Sequence, residues 1–379
     1  MTWIAGTGLT AFGKHPGRGP MDLMAEAAQA ALDEAGLVRA EIDGLITGYA
    51  TTLPHLMLST AFAESFGLRP AYAHAVQLGG GTGAAMAMLA HRLIQGGAAK
   101  RILIVAGENR RTGHTPGGAA AALAQVGHPE GETPRGPTLP AYYALLAARY
   151  LALTGAPVAD LAPLAVLMRR NAAATPGAHL AEPITEADVA ASALIASPLR
   201  LLDCCPVSDG AAALVLSADR PEGAALRIIG AGQAHLHQHV TEMADVTASG
   251  ASAAAARATA EAGVRTTDAG YLAIYDSFTI TLMMLLEELG LAPRGQAGAM
   301  ARAGVLDADG NRPLNTHGGL LSYGQCGVAG AMAHLVEMHR QMTRRAGARQ
   351  IPAEPALGLM HGDGGVLSSH VTLVLERAA

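Results

Sequence analysis

Apolar and polar positions along this chain fall into two alternating periods. Thr2–Gly8 (TWIAGTG), Ile42–Gly48 (IDGLITG) and Lys100–Gly107 (KRILIVAG) are short apolar runs closed by glycine or charge, and they read as strands. Between them, Asp22–Gly36 carries an apolar stripe at Leu23, Ala27, Ala30 and Ala31, with Asp22 placed to cap it and Gly36 to stop it. His55–Gly67 also reads as a helix. Ala71–Gly83 (AYAHAVQLGGGTG) runs as a strand into a glycine cluster and on into a small-residue helix, Ala84–Gly96. Thr112–Leu139 is rich in Gly, Pro and Ala, and reads as an excursion that covers a site. Helices follow at Pro140–Thr154 and Pro157–Ala174. Ser197–Leu216 then gives a turn and a strand, Ala211–Leu216.

The order then repeats. Leu226–Gly232 (LRIIGAG) has the character of the opening strand, and Ala251–Gly263 that of the first helix. Tyr271–Phe278 (YLAIYDSF) alternates as a strand does, and Thr279–Gly290 is an apolar helix. Val328–Met342 has helical spacing, and His361–Gly365 leads into a last strand, Ser369–Leu375. Strands alternating with helices imply parallel sheets covered by helices. Two passes of one pattern imply an internally duplicated α/β fold. The first half spans residues 1–220, with an excursion at about 110–200; the second spans 221–379.

Composition narrows the function classes. The 379 residues include 46 glycines, only 3% are aromatic and the net charge is −5 without a basic run, so nucleic acid and anionic membranes are poor partners. Mean hydropathy is positive, yet no uncharged apolar run is long enough to be a membrane span. Three cysteines do not make a disulfide framework, and a reducing cytoplasm fits them; Cys204 and Cys205 read as packing residues. His114, His128 and His179 lack metal-ligand spacing, so no metal is expected.

Chemistry concentrates in Pro313–Gly330 (PLNTHGGLLSYGQCGVAG). Asn315, His317, Tyr323, Gln325 and Cys326 stand there between glycines, on a loop before a helix N-terminus that favours an anion. The earlier cluster, Gly79 to Thr82, matches neither the Walker nor the dinucleotide pattern.

The ordered stretches AGEN, VSDGAAALVL, YDSF, LNTHGGLLSYGQCGVAG and HGDGGVLSSH resemble the thiolase superfamily, closest to its sterol-carrier-protein-type and thiolase-like branches. The resemblance implies two βαβαβαββ halves layered α-β-α-β-α, a homodimer, and coenzyme A thioester chemistry at a carbon–carbon bond, with the thioester as substrate and no covalently bound cofactor. Catalytic residues do not carry over directly. Gly80 stands where the family has its acyl-accepting Cys, Tyr275 and Gln325 stand where it has His, and His361 matches its late Cys. Without thiolate and partner His, acyl transfer has no evident route.

The resemblance extends to cysteine-less aldolases that cleave β-hydroxyacyl-CoA and pair with a small OB-fold/zinc-ribbon protein. On that reading Tyr275, Tyr323, His361, Gln325 and Cys326 are the candidate catalytic residues. A phenol of depressed pKa, or one paired with His361, would be the base. Gly80, Thr82, Asn315, His317, Gly364 and Gly365 would hold the substrate, with N–H groups near the glycines facing the enolate oxygen. Thiolase-type acyl transfer, with Cys326 as a displaced nucleophile, and a non-catalytic acyl-CoA-binding subunit are the alternatives. Arg110, Arg111, Arg135 and Arg169 are candidates for the coenzyme A diphosphate.

Overall fold

The computed structural model describes residues 1–115 and 117–378; Pro116, in the excursion, and Ala379 lie outside the described residues. Eleven strands are present among them: β1 (Thr2–Leu9), β2 (Gly44–Gly48), β3 (Tyr72–Val76), β4 (Arg101–Asn109), β5 (Leu194–Ala196), β6 (Leu199–Arg200), β7 (Asp209–Ser217), β8 (Ala225–His235), β9 (Tyr271–Ile274), β10 (Leu357–Gly364) and β11 (Ser369–Ala378). Nine of them join in the order β3-β2-β4-β7-β1-β8-β11-β10-β9, and β5 and β6 form a separate hairpin.

The sheet is mixed rather than parallel as the pattern implies, and its pairing senses show the duplication. In the first half β1 and β7, and β7 and β4, are antiparallel, while β4, β2 and β3 run parallel. In the second half β8 and β11, and β11 and β10, are antiparallel, and β10 runs parallel to β9. Thr2–Ile4 pair with Leu226–Ile228 and join the halves. Where β3 has its counterpart, the second half keeps only a parallel bridge between Leu272 and Leu314.

Helices complete five layers. Pro20–Ala35 covers β1, β7 and β4 on one outer face, and Ala251–Ala262 covers β8 and β11 on the other. Glycine sets both contacts. A Cβ on Gly8 would meet the Ala27 carbonyl carbon at 2.9 Å, and one on Gly232 would meet Ala258 N at 2.7 Å. Between the halves lie Thr82–Gln95 and Val328–Met342; every residue of the second except Arg340 is buried, as a helix between two sheets requires.

Three elements differ from the sequence pattern. β10 begins at Leu357 and contains His361–Gly364, which the pattern gave as a lead-in to the last strand. The strand beginning at Tyr271 ends at Ile274, so Tyr275–Phe278 lies outside it, with Phe278 bridging to Cys204. The short helix Gly319–Ser322 forms within what reads as a loop. No single helix among the described residues is long and apolar enough to cross a membrane.

Candidate active site

The site forms where both central helices begin. The glycine cluster precedes Thr82–Gln95, and Gln325–Gly327 precedes Val328–Met342. Thr82 is fully buried and shapes the cluster: its hydroxyl donates to Gly79 O at 2.6 Å and accepts from Leu78 N at 2.8 Å. Gly79, at φ +55, lies so close to the end of β10 that a Cβ there would be 2.7 Å from Gly365 N and 3.1 Å from Gly364 Cα. A side chain on Gly364 would likewise be 3.0 Å from the Leu78 carbonyl carbon. The two glycine pairs therefore bring backbone from both halves together.

Tyr275 closes this junction. Its N–H donates to His361 O at 3.0 Å, which aims the residue off the end of β9. A Cβ on Gly80 would overlap the Tyr275 hydroxyl oxygen. The phenol thus fills the space that a side chain at position 80 would take. Gln325 Nε2 donates to the phenol oxygen at 3.0 Å, while Gln325 Oε1 is buried without a hydrogen-bond partner. Asp363, fully buried on β10, accepts from Tyr143 OH at 3.5 Å; its other oxygen has no hydrogen-bond partner and lies 4.0 Å from His370 Nδ1. Tyr143 OH also donates to Gly365 O at 3.0 Å.

Electrostatics correct one expectation. Burial pushes the Tyr275 phenol well above its ordinary value, Asp363 and Cys205 act the same way, and Arg110 opposes them. The phenol is neutral at physiological pH rather than a depressed-pKa base. Nor is it paired with the His361 side chain. That ring bonds Thr372 Oγ1 at 2.8 Å and His370 Nδ1 at 3.1 Å, and burial drives it well below the usual imidazole value. Burial also raises the Asp363 carboxyl well above the carboxylate range.

The other candidates pack elsewhere. Tyr323 donates to Thr10 O at 3.3 Å and lies edge-on to Phe12, with 4.8 Å between ring centroids. His317 is buried against Tyr323 and His334, and neither ring nitrogen has a hydrogen-bond partner. Asn315, at φ +43, accepts from Ile274 N at 2.9 Å and donates to Ile274 O at 2.7 Å, pinning the loop to the strand that presents Tyr275. Cys326 is fully buried and burial holds its thiol well above the ordinary value. Cys204 and Cys205 are only half-buried, and Cys205 N bonds Ser277 O at 3.1 Å in the segment after Tyr275.

A cavity of about 800 Å³ opens onto the junction at Gly79 and Gly365. Leu53, Leu58, Val76, Leu78 and Val126 give it an apolar wall, and Arg110, Gln77, Gln125 and Gln238 are among its polar lining. Leu123, on the helix Gly118–Ala124 of the excursion, also lines it. Of the four arginines considered for a diphosphate, Arg110 alone lines this cavity. Arg169 bonds Ser322 Oγ, Arg111 bonds Val207 O and Arg135 bonds Gly131 O. Sequence reasoning missed Asp363, Tyr143 and Cys205 as neighbours of Tyr275; they lie far apart in the chain, and no spacing signal connects them. Among the described residues no group of His, Cys, Asp and Glu is arranged to hold a metal.

Comparison with known proteins extends over the whole chain. A steroid side-chain-cleaving aldolase of Thermomonospora curvata is 34% identical over 360 residues, covering 87% of this chain and 88% of that one. An acetyl-CoA acetyltransferase of Methanothermobacter thermautotrophicus is 29% identical, over 97% and 98% of the two chains. The solved structure of the Ltp2-ChsH2(DUF35) aldolase superposes with a TM-score of 0.84 at 30% identity, covering 99% of this chain and 97% of that one. Residues 2–220 match the thiolase N-terminal domain and residues 232–377 the thiolase C-terminal domain-like family, and on that ground the chain belongs to the thiolase family.

Proposed function

We propose that this chain is an acyl-CoA lyase that cleaves a β-hydroxyacyl thioester by retro-aldol reaction, without a covalent acyl-enzyme. One observation carries the reading: the Tyr275 phenol occupies the space beside Gly80 where an acyl-accepting side chain would stand. The similarity to two aldolases supports it.

The phenol acts as a relay. As the carbon–carbon bond lengthens, its electron pair spreads over the α-carbon and the thioester, and the phenol gives its proton to the α-carbon; its oxygen, phenolate-like as that proton leaves, takes the proton of the β-hydroxyl, and an aldehyde or ketone is left. No charge remains on the tyrosine at either end, which suits a buried neutral phenol. Gln325 Nε2 supports the phenol oxygen as it passes through phenolate character. The junction glycines let backbone approach the thioester closely, and the apolar wall takes the acyl group.

Acyl-CoA is the substrate, and the cytoplasm suits the three free cysteines. We further propose a homodimer and a small OB-fold/zinc-ribbon partner. β3 supports the first: it is an edge strand, only half-buried, with unpaired backbone on one side.

The test is product release from a β-hydroxyacyl-CoA, with and without the partner. Aldehyde or ketone should appear together with the shortened acyl-CoA. Tyr275→Phe should lower kcat by about 10²- to 10⁴-fold while thioester binding persists. Full activity in that variant would remove the reading.

A further inference from the structure

Against the turn that carries Gln325 lies a buried ion pair that folding alone does not explain. Arg110 Nε is 2.5 Å from Glu108 Oε2, and the two side chains are 7% and 1% exposed. Glu108 is otherwise tied down: its carboxylate accepts from Thr51 N, from Thr51 Oγ1 at 2.5 Å and from Thr52 N at 3.3 Å. A buried ion pair gives a fold little net stability, because desolvation offsets the attraction. This pair is nonetheless placed with care. The guanidinium forms part of the cavity wall along with Gly79 and Tyr49. Its Nη2 lies 3.2 Å from where a Gly327 Cβ would stand, in the turn that carries Gln325. Gln325 in turn holds the Tyr275 oxygen.

We infer that Arg110 is a positioning residue for the proposed lyase reaction, stabilising negative charge as it develops on the Tyr275 phenol, and that Glu108 makes burial of the guanidinium possible there. The inference rests on the retro-aldol reading. A fixed cation at the edge of a water-poor site acts most strongly on charge that exists only in the transition state. The groups facing the phenol are Asp363 from β10, Tyr143 from the helix Leu139–Thr154, Cys205, Tyr49 and Arg110. Arg110 is the one cation among them. Those facing the guanidinium are Glu108, Tyr49, Tyr275, Cys205 and Cys326.

A trifluorotyrosine placed at position 275 ionises at lower pH than tyrosine, and its titration is read from absorbance or fluorine resonance without any turnover. In the double variant Glu108→Gln/Arg110→Met its midpoint should rise by about one pH unit or more, a tenfold change in the ionisation constant. An unchanged midpoint overturns the inference, whatever reaction the enzyme performs. A raised midpoint in a protein that releases no aldehyde or ketone upholds the electrostatic coupling and rejects the lyase reading instead.

In the unlabelled enzyme the double variant should lose about tenfold in kcat with KM within about twofold. A raised KM with kcat intact would mean a simple substrate contact and would overturn the inference. If the double variant does not fold, Arg110→Lys is measured instead. Its shorter reach should raise the midpoint by a smaller amount, and no rise is again a refutation.

Discussion

At the scale of single residues, the site is a set of coupled substitutions. Glycine at position 80 and tyrosine at 275 require one another, because the hydroxyl of the second takes the volume of any side chain on the first. Gln325 matches the phenol as a neutral donor that needs no proton exchange of its own. Buried histidines elsewhere show how far this interior departs from water. His91, on the central helix Thr82–Gln95, is fully buried, both its ring nitrogens lack hydrogen-bond partners, and burial, aided by Arg92, lowers its pKa to about 4. A histidine whose folded pKa is depressed contributes stability above its unfolded value of about 6.5, and loses it as pH falls toward the folded value. Relative to His91→Phe, the native chain should therefore lose up to about 3 kcal/mol between pH 6.5 and pH 4. Denaturant midpoints at the two pH values check this; a gap between the chains that stays constant with pH would refute it.

At the scale of elements, the duplication is legible in sequence because the same device is used twice. IAGTG in β1 and IIGAG in β8 put glycines where a helix backbone presses on the strand, against Ala27 in one half and Ala254 in the other. Gly8→Ala and Gly232→Ala should each destabilise by about 1–3 kcal/mol through overpacking against backbone that cannot yield. Thermal melts of the two variants should fall together, and a tolerated alanine at either position would contradict the equivalence. β10 was harder to read, since LGLMHGDG has no alternation and three glycines, yet it is buried almost throughout. Its glycines answer to neighbours distant in sequence: Gly358 to Met338 and Met342, Gly362 to Ala84. Tyr323, His317 and Asn315 were visible as a polar cluster beside Gln325. Which way each points depends on backbone at Thr10 and Ile274 and on the ring of His334, and spacing within the loop carries no information about that.

At the scale of the whole molecule, the proposed reaction centre belongs to neither half. The first half supplies the glycine cluster, Arg110 and most of the cavity wall; the second supplies Tyr275, Gln325 and the Gly364–Gly365 turn. A fold in which two helices begin at one point can serve acyl transfer or bond cleavage. What separates them here is the atom standing over position 80. Cys326 is sealed in the core, and Cys205, though half-buried, has burial raising its thiol far above neutrality. Intact-protein mass spectrometry during turnover of a β-hydroxyacyl-CoA is the most direct measurement. In a retro-aldol reaction the protein mass stays unchanged while aldehyde or ketone accumulates. A mass gain equal to the acyl group, mapping to any cysteine, would contradict it.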